Sequence, residues 1–191
     1  HVACCEPVDL SLGDADRAFD ILRAESFVAA FADVLRTAPD TLAPNVRDNL
    51  QMAASISLAD RAWAHLEQTR IARRFASVLE RYDAILAPVS PMTPFPWTQL
   101  YATRVDGQDM KNYYHWLALT YVVTLATNPA LSLPCGLDEH AMPFGLQVIG
   151  HLHQDARLLA DAHALEQLFA SMPALARPRP DLDKLRVPTA E

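Results

Sequence analysis

Lysine is nearly missing from this chain. Of its sixteen basic residues only Lys111 and Lys184 are lysines, which leaves fourteen arginines against 23 acidic side chains and a net charge of -7. Nucleic-acid affinity is built on Lys and Arg neutralising phosphates, and these arginines are scattered, so no nucleic-acid partner is expected. Glycine is also scarce, at five residues, so left-handed turns should be few. Cysteine numbers three, with Cys4 and Cys5 adjacent. That is not a disulfide framework for a secreted domain, and a reducing cytoplasm is the expected location. Long apolar runs are absent too. The longest, Trp116 to Ala126, contains Thr120, Tyr121 and Thr124 and falls far short of the roughly 20 residues that cross a bilayer, so no membrane span is expected. The start, His1-Val2-Ala3-Cys4-Cys5-Glu6-Pro7, has neither a basic opening nor an apolar core of signal length, and it reads as a cut or processed edge.

What the chain does have is a hydrophobic fraction of 51% with 20% charged residues, the composition of a globular protein with a real core. One domain is expected over 1–191: mainly helical from 14 to 82, a sheet and pocket region from 83 to 150, a helix over 155–170 and an extended tail over 173–191. Fourteen prolines, several clustered, should stiffen the loops.

From Asp14 to Arg36, Ala18, Ile21, Leu22, Phe27, Val28, Phe31, Val34 and Leu35 recur at three- and four-residue steps, which predicts an amphipathic helix. Pro39 and Pro44 interrupt it, and Pro44 suits the first turn of a short helix running through Met52. Ser57 and Asp60 have the spacing of a capping box ahead of a long helix. Its apolar face is expected to be Ala59, Ala62, Trp63, Leu66, Ile71, Phe75, Val78, Leu79 and Tyr82, with Glu67, Arg70, Arg73, Arg74 and Glu80 on the solvated side. Asn112 to Leu125 predicts a buried helix. Asp155 can cap a last helix, whose stripe is Leu158, Leu159, Ala162, Leu165, Leu168 and Phe169.

Three strand-length apolar runs, each stopped by Pro or Gly, lie between these helices. They are Asp83-Ala84-Ile85-Leu86-Ala87-Pro88, then Thr127-Asn128-Pro129-Ala130-Leu131-Ser132-Leu133-Pro134-Cys135-Gly136, then Met142-Pro143-Phe144-Gly145-Leu146-Gln147-Val148-Ile149-Gly150. The last two predict an antiparallel hairpin with an irregular loop, and their lack of alternation predicts cover on both faces. Between the first and second, Pro88 to Trp97 holds four prolines and must be an extended loop.

In order, spacing and residue type these three runs resemble the C-terminal part of amidase signature enzymes, and the flanking helices extend the likeness over nearly the whole chain. The resemblance implies an α/β fold, here a fragment with a mixed β-sheet of about three strands covered by helices, and a parent activity of hydrolysing carboxylic amides to acid and ammonia or amine. That family includes the glutaminase subunit of the tRNA-dependent amidotransferase. Its chemistry rests on a Ser, a bridging Ser and a Lys carried on an upstream Gly- and Ser-rich stretch. This sequence has no Gly-Gly-Ser-Ser-Gly run and no adjacent serines, and neither lysine has such a setting. The expectation is a C-terminal, non-catalytic portion that supplies sheet and pocket wall, with no catalytic residue, cofactor or metal of its own.

The resemblance also implies that the aromatic residues around the proline loop line an acyl-side pocket. Phe95, Trp97, Tyr113, Tyr114 and Trp116 are the candidates, with Tyr101 in the same set, and ordinary core packing is the competing account. They favour a bulky or aryl acyl group. Asn128 stands where the family commonly has glycine, and it either approaches a ligand or bonds its own turn.

Cys135 beside Gly136, with His151 or His153 as a base, would make a cysteine nucleophile, although a small packed residue is the simpler account. His151-Leu152-His153 and the His1, Cys4, Cys5 group lack a full metal-ligand spacing. Asp83 reads as a structural carboxylate. The partners expected are an amide substrate in the full-length enzyme, the missing N-terminal amidase portion, and further copies of this chain, whose association would cover open sheet edge. The alternative is a stand-alone binding or assembly module that keeps the scaffold without its chemistry.

Overall fold

The computed structural model describes Val2 and residues 4–185. Helix α1, Ala15–Thr37, has two unlike halves. Its first half buries Ala15, Ala18, Ile21 and Ala24, whereas Val28 and Leu35 in the second half stay exposed and Phe27 and Phe31 pack on one another at 5.4 Å. A 3-10 turn at Pro39–Thr41 leads to helix α2, Pro44–Ala54, which starts on its proline as expected. Helix α3, Leu58–Leu79, opens on a complete capping box: Ser57 Oγ accepts from Asp60 N at 3.1 Å, and Asp60 Oδ2 accepts from Ser57 N at 3.0 Å.

The buried face of α3 is rotated from the one its sequence suggests. Ala59, Ala62 and Leu66 are exposed, Leu66 at 51%, while Glu67, expected in solvent, is 5% exposed. The inner row is Ala64, Glu67, Ile71, Phe75 and Val78. A carboxylate tolerates that position because Arg70 Nη1 lies 3.1 Å and Arg74 Nη1 3.5 Å from its oxygens. Gly13 leaves the room: a Cβ there would stand 2.3 Å from Glu67 Oε1, and its φ of +62° suits only glycine well.

Strand β1, Ile85–Pro88, follows α3. A small ribbon of β2, Arg104–Val105, and β3, Gln108–Asp109, turns through Asp106 and Gly107, both at positive φ as a type I′ hairpin requires. The 3-10 turn His115–Leu117 runs into helix α4, Ala118–Ala126, then come β4, Ala130–Leu137, β5, Pro143–Ile149, α5, Asp155–Ala170, and a final turn α6, Leu182–Leu185.

The main sheet has the order β1-β5-β4, with β5 in the centre. Ile149 pairs with both Ile85 and Ala130, and Val148 with both Leu86 and Leu131. Three strands under helices match the expected α/β fragment. Their pairing is antiparallel throughout, because both outer strands run against β5, and the parallel component of a mixed sheet is not among the described residues.

Successive residues of β5 serve opposite faces, as period-two geometry demands. Ile149 joins a core with α1, α3 and α4 through Ala18, Ile71, Phe75 and Val123, whereas Val148 joins Leu133, Leu158, Ala162 and Phe169 under α5. Both faces are therefore covered, and α4 is buried along Tyr121, Val122, Val123, Leu125 and Ala126. On α5 the N-cap is Gln154 rather than Asp155, and Leu159 points outward.

The β4–β5 pairing slips between Pro134 and Leu137, where Gly136 takes a φ of +68° and a Cβ would meet Ala174 O at 2.1 Å. The segment after α5 thus closes over this bulge. Of the tail expected to be extended, residues 182–185 are helical and 186–191 lie outside the described residues. Among the described residues no helix is long and apolar enough to cross a membrane.

Phe75 and Leu66 share the face read from sequence but not the one in the fold. Phe75→Ala is expected to lower the unfolding free energy by about 3–5 kcal/mol, and Leu66→Ala to change it by no more than about 0.5 kcal/mol. Urea denaturation of both variants checks the rotation of α3.

Candidate functional site

The proline loop after β1 is held against the sheet end by Val89 N donating to Gly145 O at 3.1 Å, and Ser90 Oγ donates to Met92 O at 2.9 Å. Pro91, Pro94 and Pro96 keep the loop from pairing further, so it arches over the end of β4 and β5 instead. Beneath the arch is a cavity of about 540 Å³, within the usual range for small-ligand sites.

Phe95 and Trp116 meet edge to face at 5.6 Å on the aromatic side of this cavity. Met92, Leu119, Pro143 and Phe144 add apolar surface, Ser132 and Gly145 contribute from the strands, and Asp138 stands on the hairpin side. Trp116 is fixed by its indole N–H, which donates to Tyr113 O at 3.1 Å. Apolar walls with a few polar groups suit a ligand with an aryl or branched alkyl part.

Of the residues proposed from sequence, the fold brings Phe95 and Trp116 together here. The others go elsewhere. Trp97 projects into solvent, 92% exposed, beside a turn that Gln99 closes with bonds involving Pro96 O and Tyr101 O. Tyr113 accepts from Arg23 Nη2 at 2.6 Å and from Asn49 Nδ2 at 3.1 Å, and it packs against Tyr101. Tyr114 is buried and donates to Asp20 Oδ1 at 2.5 Å. Asn128 Nδ2 donates to Gly150 O at 2.8 Å, which ties the turn after α4 to the end of β5. Thr127 before it holds a φ of +59°.

These contacts make a second polar cluster, set between the helices rather than in the cavity. Asp20 on α1 also receives His115 Nε2 at 2.8 Å and Lys111 Nζ at 3.5 Å, so one carboxylate gathers three groups from residues 111–115. Tyr121 stacks on Phe19 at 4.2 Å and donates to Asp16. Burial first, and the bond to a carboxylate second, push the Tyr114 and Tyr121 phenols well above their usual value of 10.0.

Cys135 is half-buried and its thiol is pushed up by that burial. No hydrogen bond joins it to His151 or His153 among the described residues. Asp83 pairs with Arg157 on α5, a structural tie. His1 lies outside the described residues, and among those described no three His, Cys, Asp or Glu side chains gather as metal ligands. A second, apolar hollow of about 370 Å³ lies beside β1, lined by Val8, Leu10, Phe75, Ile85 and Val122 among others. Asp138 and Ser132 escaped the sequence reading because only the hairpin register carries them to the loop, and Leu119 because it reaches the cavity from α4. The prolines and the aromatic residues Phe95 and Trp116 were the local signals.

A family model described as Amidase matches residues 12–159. The glutamyl-tRNA(Gln) amidotransferase A-subunit of Prochlorococcus marinus (strain MIT 9211) is 42% identical over 100 residues, covering 52% of this chain and 19% of that protein. Its counterpart in Listeria welshimeri is 39% identical over 106 residues, covering 54% of this chain and 20% of that protein. The chain therefore spans about a fifth of the length of these curated relatives. Among solved structures, a crystal structure of amidase superposes with a TM-score of 0.73 at 26% identity, covering 84% of this chain and 37% of that one. A bacterial aryl acylamidase of the amidase signature family shares the fold, with a TM-score of 0.72 at 21% identity, covering 90% of this chain and 39% of that one.

The raised phenols make stability depend on alkali. Above pH 10 an unfolded chain releases those protons while the native chain keeps them, so stability is full below that pH and falls as the pH climbs toward the folded values. Tyrosinate absorbance is expected to show a late phase coincident with unfolding, and Tyr114→Phe is expected to shrink that phase and flatten the alkaline loss. An early, single titration of all phenols would contradict the burial of these two.

Proposed function

This chain belongs to the Amidase family, whose model covers residues 12–159, and from that premise we propose that it is a C-terminal, non-catalytic portion of an amide hydrolase. In this reading it contributes sheet and one wall of the substrate pocket, while a Gly- and Ser-rich portion on the other side of the cavity contributes Ser, Ser and Lys. The observation that carries the proposal is the cavity itself. It has the apolar, aromatic wall of an acyl pocket, formed by Phe95, Trp116 and Phe144, yet no lysine lines it among the described residues. Lys111 is engaged with Asp20 between the helices.

The open edges support a partner. Among the described residues, strands β1 and β4 each pair on one side only, and the apolar hollow lies against β1. Unpaired edges with adjacent apolar surface invite further strands. The remaining amidase portion is the partner this reading assigns, and further copies of the chain are expected to substitute when it is absent. A cytoplasmic location agrees with Cys4, Cys5 and Cys135 all being free thiols. The substrate is a carboxylic amide, with an aryl or bulky acyl group favoured by the aromatic wall. A stand-alone binding module differs from this reading in needing no partner for its function.

Intact-mass analysis after incubation with a fluorophosphonate, alongside an amide-hydrolysis assay, tests the chemistry. No adduct and no turnover are expected from the chain alone. A stoichiometric adduct would overturn the non-catalytic reading and point to Ser90 or Ser132, which line the cavity. Light scattering over a wide concentration range tests the edges: self-association is expected, and a clean monomer throughout would count against it.

A further inference from the structure

One charged side chain lines the cavity among the described residues, and it is an anion. Asp138 sits at the start of the β4–β5 connection, where Asp138 N donates to Met142 O at 2.8 Å and Ala141 N donates to Asp138 O at 3.0 Å. Its carboxylate folds back over this turn, with Oδ1 accepting from His140 N and Met142 N, each at 2.9 Å. Two backbone donors on one oxygen fix the orientation of the group. The other oxygen, Oδ2, has no protein partner among the described residues. The result is a half-buried, oriented carboxylate beside an otherwise apolar and hydroxyl-bearing lining.

We propose that the cavity selects amides that carry a cationic amine next to an aryl or branched alkyl body, with Asp138 receiving the ammonium group. This rests on reading the cavity as an amide pocket and adds the substrate class. Three alternatives fit less well. An anionic ligand would face Asp138 with no Arg or Lys among the described lining residues to offset it. A divalent metal needs several oxygen or nitrogen ligands, and the described residues hold no such group of three. A neutral apolar ligand would leave the carboxylate half-covered and unpaired, which costs free energy. An ammonium group gains a charge-assisted hydrogen bond at Asp138, and the rings of Phe95 and Trp116 line the same cavity to pack the apolar part of the ligand.

The test uses the 191-residue chain labelled with 15N and follows the Trp116 indole N–H, identified with Trp116→Phe. Phenethylammonium, 2-phenylethanol, phenylacetate and phenylacetamide are titrated at one ionic strength. Phenethylammonium is expected to bind about tenfold more tightly than 2-phenylethanol, the ratio a charge-assisted bond supports, and phenylacetate most weakly. Asp138→Asn keeps an acceptor for His140 N and Met142 N, and it should erase the ammonium preference, while Glu139→Gln, altering the exposed neighbour, should preserve it.

Equal binding of ammonium and alcohol by the wild-type chain would overturn the proposal, and that comparison decides alone if the Asn variant unfolds. A preference surviving in a folded Asp138→Asn chain would also overturn it. In either case, continued binding of phenylacetamide would leave the amide-pocket reading standing. A Trp116 signal unmoved by all four compounds would overturn both.

Discussion

Strand β5 needs a partner on each edge and cover on each face, and the rest of the molecule meets those four demands. Its backbone pairs with β1 on one side and β4 on the other, in a register that places Ile149 level with Ile85 and Ala130. Its side chains alternate between a core under α1, α3 and α4 and a second core under α5. A slip of one residue would exchange the two sets, so the register is set by both cores at once. The cavity follows from the same constraint. Where β5 begins, at Pro143 to Gly145, regular pairing ends, and the proline loop after β1 arches over the gap.

The outer strands are a different matter. Among the described residues, antiparallel β1 and β4 have satisfied hydrogen bonds only toward β5, and the surface beside β1 is apolar. In the amidase reading this is unfinished structure, the boundary along which another part of the enzyme continues the sheet. In that proposed reading, one further portion of the enzyme supplies both the neighbouring strands and the Ser, Ser and Lys.

Between the helices, polar groups replace part of an apolar core. Asp20 gathers Tyr114, His115 and Lys111, and Glu67 is held by Arg70 and Arg74. Asn49, 1% exposed, bonds Asn45 O and Tyr113, while its Oδ1 and the Nε of Arg23 are buried without a hydrogen-bond partner among the described residues. Removing one partner from such a network leaves a buried polar group or charge uncompensated, which is costly. Here these contacts orient residues 111–115, and through Tyr113 O they orient Trp116, so the aromatic side of the cavity is placed by contacts made in the helical layer.

The sequence by itself determined most local elements and their order, though not the β2–β3 ribbon, nor that the helix expected from Asn112 starts at Ala118 behind the 3-10 turn His115–Leu117. Capping at Ser57, proline at Pro44, the strand-length runs ended by Pro or Gly and the proline loop all act within a few residues, so their signals survive without the fold. Family membership was legible for the same reason, because it lies in short ordered motifs. Only the tertiary structure decided which side of α3 faces inward. Burial of Glu67 depends on Arg70 and Arg74 and on the space left by Gly13, far away in sequence. It also decided that Phe95 and Trp116 share a cavity while Trp97 faces solvent and Tyr114 serves Asp20. Adjacent aromatic residues look alike in composition, and what separates them is the direction each side chain takes once the strands are in register. Asp138 is the extreme case, an ordinary loop acid that becomes a cavity group only because the hairpin carries it beneath the proline arch.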